Sequence, residues 1–273
     1  MHRLIHGVVH TGNRQTVATW RNGTVEVMPL PGPEEEVVPG VCWGRFDAFF
    51  TPAFWKARVW IDGDCSPMLD YSLGKSLREE VAACLLGGFG MQAEIGLAAF
   101  ERLKGLGLLD GKATHSAVEA ALREPLCVAG RRVKYRYPTT KSRFLSVSMA
   151  RMCDARAPTG DPPAFRDWLL TFPGIGLKTA SWITRNYLHT DDVAILDIHV
   201  IRAGVLMGLF SPRSRVPRDY YTMEERLVAF AKAMEVRLSE FDSVLWCYMR
   251  QLNSLALNAI TFQHSLDANT IAD

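Results

Sequence analysis

Two residues of this 273-residue chain have the type and the setting for covalent chemistry, Lys178 and Asp197. Lys178 stands two residues after the turn Pro173-Gly174-Ile175-Gly176, in the run FRDWLLTFPGIGLKTASWITRNYL, where a new helix must begin. The positive end of a helix repels an ammonium group and favours the neutral amine, which is the nucleophilic form. A lysine there also serves, more simply, as a point charge for an anion. Nineteen residues on, Asp197 interrupts the apolar run VAILDIHVIR. A carboxylate so flanked is expensive to bury unless it is paired or used. Aspartate is equally a preferred N-cap, here for a helix beginning at Ile198. The two roles are compatible, because a capping carboxylate can still face a developing positive charge.

The elements around these residues must position them. Gly174 and Gly176 carry no Cβ, so backbone N–H groups at the start of the second helix can approach a ligand closely. The helix dipole favours an anion there, and a nucleic-acid phosphate is one candidate. Many two-glycine corners nevertheless bind nothing. PAFRDWLLTF, PGIG and LKTASWITRNYL read as helix, turn and helix over about 163–188. Further helical segments are expected from residue 70 onward. Ser76-Leu77-Arg78-Glu79 has capping-box spacing before VAACLL. GGFG (87–90) breaks that helix, and MQAEIGLAAFERLKGLG resumes it. THSAVEAALREPL, KSRFLSVSMARMCDARA, IHVIRAGVLMGLF, TMEERLVAFAKAMEVRL and EFDSVLWCYMRQLNSLAL follow.

The first forty residues differ. QTVATW and TVEVMPL alternate around Arg21-Asn22-Gly23 and read as a hairpin, and 31–40 reads as a linker or exposed loop. The chain is thus expected to be mainly α, with a small β-containing extension (1–70) before an all-α body (71–273).

Composition narrows the function. Hydrophobic residues make up 48%, enough for a sizeable core, and no apolar run reaches membrane-spanning length. The start, MHRLIHGVVHTGNRQTVATW, has no signal-peptide core. The six cysteines, at 42, 65, 84, 127, 153 and 247, form no C-x-x-C pair. They read as reduced thiols of a cytoplasmic protein, with neither zinc nor an iron–sulfur cluster. Net charge is only +2, yet GRRVKYRYPTTKSRF gathers Arg131, Arg132, Lys134, Arg136, Lys141 and Arg143 around Tyr135 and Tyr137. Cations there neutralise phosphates and tyrosines can stack on bases, the pattern of a nucleic-acid contact.

PGIGLKTA followed by AILDIHVIR resembles the helix-hairpin-helix (HhH-GPD) superfamily of DNA glycosylases, in its bifunctional 8-oxoguanine branch. LKTASWITRN, VAILDIHVIR and FDSVLWCYMR are most similar to the type 2 8-oxoguanine DNA glycosylases, the likeness covering about residues 76–250. The resemblance implies a two-part helical glycosylase fold acting, as a monomer, on double-stranded DNA with a damaged or modified base. It implies that Lys178 attacks C1′, expels the base and forms a Schiff base open to strand cleavage, while Asp197 stabilises the oxocarbenium-like sugar. Gly174, Ile175 and Gly176 would grip the DNA backbone, with a monovalent cation at the 173–176 turn and no essential metal. Arg132, Lys134, Arg136, Lys141 and His199 would add backbone contacts. A flipped base needs a pocket and a wedge; Trp182 and Trp246 match pocket positions and Phe89 a wedge position. Core packing explains Phe89, Trp246 and His199 as well.

The chain departs from its relatives at two points. Trp182 stands where the eukaryotic-type enzymes carry a cysteine against the base. Type 2 members end in a base-reading lysine, whereas this chain runs on through NAITFQHSLDANTIAD. Two other readings therefore stay open: the same chemistry on another modified base, for example in foreign DNA, or a non-catalytic DNA-binding hairpin.

Overall fold

The structure is a computed structural model that describes residues 14–62, 72–88 and 90–270. In chain order it begins with strands β1 (Gln15–Arg21), β2 (Thr24–Leu30), β3 (Glu36–Val38) and β4 (Val41–Cys42) and helix α1 (Pro52–Asp62). Then come α2 (Leu77–Leu86), α3 (Ala93–Gly105), α4 (His115–Arg123), β5 (Leu126–Val128), β6 (Arg131–Val133), α5 (Pro138–Arg151), α6 (Pro162–Leu169) and α7 (Leu177–Leu188). The chain closes with α8 (Ile198–Leu206), α9 (Tyr220–Ala233), α10 (Leu238–Gln251) and α11 (Asn253–Thr270). None of the described helices is long and apolar enough to cross a membrane.

These elements form two compact units, Asp70–Val193 and a second that joins Met1–Leu69 to Ala194–Asp273. Residues 71–273 are thus shared between the two units. In the second unit the aromatic residues of α1 pack on α10. Phe54 and Trp55 meet the ring of Tyr248 edge-on, and the Tyr248 hydroxyl donates to Asp62 at 2.7 Å.

β1 and β2 form the expected hairpin, with Arg21 opposite Thr24 and both turn residues, Asn22 and Gly23, at positive φ. Of the two readings of residues 31–40, the exposed loop fits and the linker does not. Gly32 N–H donates to the Glu35 carboxylate, Gly44 N–H to Pro33 O, and β3 pairs with β4. Proline, glycine and glutamate here build tight turns rather than a tether.

The 70–193 unit encloses a core of Leu86, Phe100, Leu103, Leu122, Leu145, Phe165 and Ile183. Ser76 caps α2 as its spacing predicts, its hydroxyl accepting from Glu79 N–H. Glu79 and Glu80 accept from the N–H groups of Lys75, Leu73 and Gly74, which ties the incoming chain to the helix start. The β5–β6 hairpin was not expected. Its signal was the pair Ala129-Gly130, both at positive φ between LCV and RRV, hidden by strongly helical neighbours. In the other unit α8 packs against α10 and α11, and Arg202 donates to Asn253 at 2.8 Å. The stretch read as one last helix breaks at Leu252 (φ −91°, ψ 15°) into α10 and α11.

Candidate functional site

The hairpin of α6 and α7 is held by aromatic rings. Phe165 stacks on Trp168 and on Tyr187, and Trp168 meets Phe172 edge-on at 4.7 Å. Phe172 and Ile175 turn into the core, which leaves Gly174 and Gly176 exposed at the corner. Gly174 is glycine for two reasons: its φ is +83°, and a Cβ there would lie 2.3 Å from the Phe144 ring. Gly176 is the N-cap of α7 and has open space where a side chain would stand. No side chain caps the start of α7. Ile175, expected to grip a phosphate through its backbone, directs its N–H to Phe172 O at 3.3 Å.

Gly174→Ala should therefore lower stability by about 1–3 kcal/mol, from left-handed backbone strain plus the Phe144 contact. It should also weaken DNA binding, read as a melting shift and a rise in Kd. Gly174 would need no special account if the alanine protein melted and bound like the parent.

Lys178 is exposed, the second residue of α7, in a first turn that contains no acidic side chain. Trp182 follows one turn along the same face, half-buried, with the Arg185 guanidinium 5.9 Å from its ring. Arg185 is almost fully buried, and the sequence reading had passed over it.

Asp197 lies in the other unit. A buried extended stretch, Val193–Leu196, leads into it, and it is 9% exposed itself. Its Oδ1 accepts from His199 N–H at 2.8 Å and Val200 N–H at 2.9 Å, so the capping role is real. The cap orients the carboxylate. His199 sits half-buried at the second position of α8. Trp246, on α10, is half-exposed with the Arg250 guanidinium 4.5 Å above its ring, so it is not a packed core aromatic.

The basic segment splits into two kinds of residue. Arg131, Arg132, Lys134, Arg136 and Arg143 are exposed on β6 and the chain that follows it. Tyr135 is buried instead and cannot stack on a base: its hydroxyl donates to Leu86 O at 2.6 Å, and burial pushes its pKa up. Lys141 donates to Gly87 O at 3.2 Å, and desolvation lowers its pKa. Arg136, lying over the Tyr137 ring, reaches Gly90 O at 3.2 Å. Three members of the segment thus fasten carbonyls on either side of position 89. Phe89 itself lies outside the described residues.

This division has a measurable consequence. Replacing Arg132 and Lys134 by glutamine should reduce the slope of log K against log salt for DNA binding by about 2. Lys141→Met should leave that slope unchanged and cost on the order of 1 kcal/mol in folding stability. A salt slope indifferent to Arg132 and Lys134 would remove them from the interface.

Among the described residues no group of three or more His, Cys, Asp or Glu side chains could hold a metal ion. The 173–176 turn carries no carboxylate.

Residues 69–236 match the family described as 8-oxoguanine DNA glycosylase. A curated relative from Fusobacterium nucleatum, an 8-oxoguanine DNA glycosylase/AP lyase, is 29% identical over 84 residues, a match covering 30% of this chain and 39% of the relative's length. The 8-oxoguanine DNA glycosylase of Thermotoga maritima superposes with a TM-score of 0.54 at 25% identity, over 71% of this chain and 95% of that one. The Methanocaldococcus jannaschii 8-oxoguanine glycosylase/lyase, in complex with a 15mer DNA containing 8-oxoguanine, gives 0.53 at 20% identity, over 72% and 97%.

Proposed function

The chain belongs to the 8-oxoguanine DNA glycosylase family, and from that membership we propose that it is a bifunctional DNA glycosylase/AP lyase excising an oxidised purine, 8-oxoguanine first, from double-stranded DNA. The observation that carries the reading is Lys178, exposed in the first turn of α7 immediately behind an open glycine corner.

The steps follow from the residue chemistry. N–H groups at Gly174, Gly176 and the α7 N-terminus hold a backbone phosphate beside the target nucleotide. Arg132, Lys134 and Arg136 add charge along the strand, and His199 another backbone contact. The base leaves the stack, and Trp182 and Trp246 are each assigned to contact it. The amine of Lys178 attacks C1′ while the glycosidic bond breaks and the bonding pair leaves with the base, which takes up a proton. Asp197 faces the positive charge that develops on the sugar, an electrostatic contribution of the kind that dominates many enzymes. Loss of a proton from nitrogen and opening of the sugar ring give the Schiff base. Removal of a C2′ proton then expels the 3′ phosphate by β-elimination.

We further propose that a monovalent cation rests on carbonyls of the 173–176 turn, adding positive charge next to the phosphate, and that the protein needs neither zinc nor an iron–sulfur cluster. It works as a monomer in the cytoplasm, at the nucleoid of a bacterium or archaeon.

Borohydride trapping on a panel of duplexes tests this. Each duplex carries one modified base or an abasic site, and base release is followed by chromatography. Release of 8-oxoguanine with a trapped covalent adduct is the expected result. Release of a different base with 8-oxoguanine untouched would keep the chemistry and replace the substrate. An intact panel with no adduct would reduce the hairpin to a DNA-binding element.

A further inference from the structure

Residues 194–197 belong to no helix or strand, yet all four are buried. A buried stretch without a ladder must find other partners for its N–H and C=O groups. Two side chains of α9 provide them, one turn apart and therefore on one face. The fully buried Tyr220 donates its hydroxyl to Ala194 O at 2.9 Å, and the Tyr220 hydroxyl oxygen in turn accepts from Leu196 N–H at 3.5 Å. Glu224, only 5% exposed, accepts Ala194 N–H at 3.1 Å. Asp197 N–H then closes on Ile195 O at 3.0 Å, and the two cap bonds to Oδ1 follow.

The path of the chain into Asp197 is thus bounded on both sides. Downstream it is held by its own cap, upstream by a hydroxyl and a carboxylate more than twenty residues away. If filling space were the only need at 224, an apolar side chain would serve without the desolvation that a carboxylate suffers. The bond to Ala194 is one use for a carboxylate there.

We propose that Tyr220 and Glu224 are positioning residues for Asp197, fixing the backbone that aims its carboxylate; this rests on the reading of Asp197 as the group that faces the sugar. Both residues are buried. Misplacing a reacting group by about 1 Å lowers a rate about 10²-fold, and a segment deprived of its upstream anchors can shift by that much.

The test compares Tyr220→Phe, Glu224→Leu and Glu224→Gln with the parent in the full chain. Tyr220→Phe and Glu224→Leu should each slow single-turnover release of 8-oxoguanine by about 10–100-fold, with the Kd for an uncleavable duplex unchanged. Glu224→Gln keeps an acceptor for Ala194 N–H and should stay within about threefold. Independently of activity, amide hydrogen exchange at His199 and Val200 should quicken about tenfold in the first two variants, because the cap loses its upstream support. A merely structural role would lower the melting temperature while leaving the single-turnover rate, measured well below melting, within twofold. That result overturns the proposal. Should the parent itself release no base, the functional reading fails instead. Unchanged exchange at His199 and Val200 would then still refute the positioning role. Should Glu224→Leu not fold, Tyr220→Phe alone decides.

Discussion

Replacing Lys178 with glutamine is expected to abolish the borohydride-trapped adduct on 8-oxoguanine DNA and to cut base excision by at least about 10⁴-fold, the scale on which removing a covalent nucleophile acts. Loss of folding will not explain the result. Lys178 is exposed, and it sits in the first turn of α7, where a positive charge opposes the helix dipole. Removing that charge should leave stability unchanged or raise it by about 0.3–1 kcal/mol. Binding to an undamaged duplex should weaken only modestly, as for the loss of one cation among several. The informative combination is therefore a protein that melts like the parent, binds DNA, and forms no adduct. Persistence of the adduct in the glutamine protein would move the nucleophile elsewhere and undo the assignment of the α7 start as the reacting centre.

Asp197→Asn should slow base excision by about 10³-fold or more while sparing DNA binding, and the capping geometry makes this substitution a clean one. Oδ1 accepts from the His199 and Val200 N–H groups, and an asparagine carbonyl can accept both in the same place. Asparagine caps helices about as well as aspartate. The variant thus keeps both cap bonds of α8 and removes the negative charge, together with a modest favourable interaction with the helix end. Asp197→Ala offers the contrast, since it loses the cap as well and should cost roughly 1 kcal/mol in stability. Chemistry lost in both variants, with stability lost mainly in the alanine one, separates the two roles of one side chain. If the asparagine protein excises base at the parent rate, the carboxylate is a cap and nothing more.

Features written within a few residues of each other were legible in the sequence. Ser76 caps α2 through Glu79 three positions on, and Asn22-Gly23 turns β1 into β2. Gly174 needs its positive φ whatever surrounds it, although the Phe144 ring that also excludes a Cβ comes from α5, thirty residues earlier. Features that depend on distant neighbours were misread or missed. Residues 31–40 look like a tether until Trp43 and Gly44 donate back to Glu35 and Pro33. The β5–β6 hairpin is too short to show a period.

The amino-acid sequence by itself determined that a lysine follows a two-glycine corner at a helix start and that an aspartate caps the next helix. Both are interactions within about four residues, and local backbone preference decides them. Tertiary structure alone decided what the other polar residues touch. Lys141 looks as basic as Arg132, and only the packed chain sets its ammonium on Gly87 O, 54 residues away. Tyr135 reads like an aromatic on offer to a base until Leu86 O takes its hydroxyl. Tyr220 and Glu224 carry no local signal at all, because what makes them matter is the distant backbone at Ala194 and Leu196 to which they bond. A side chain's type states which bonds it can make, and only the fold places the partner within reach.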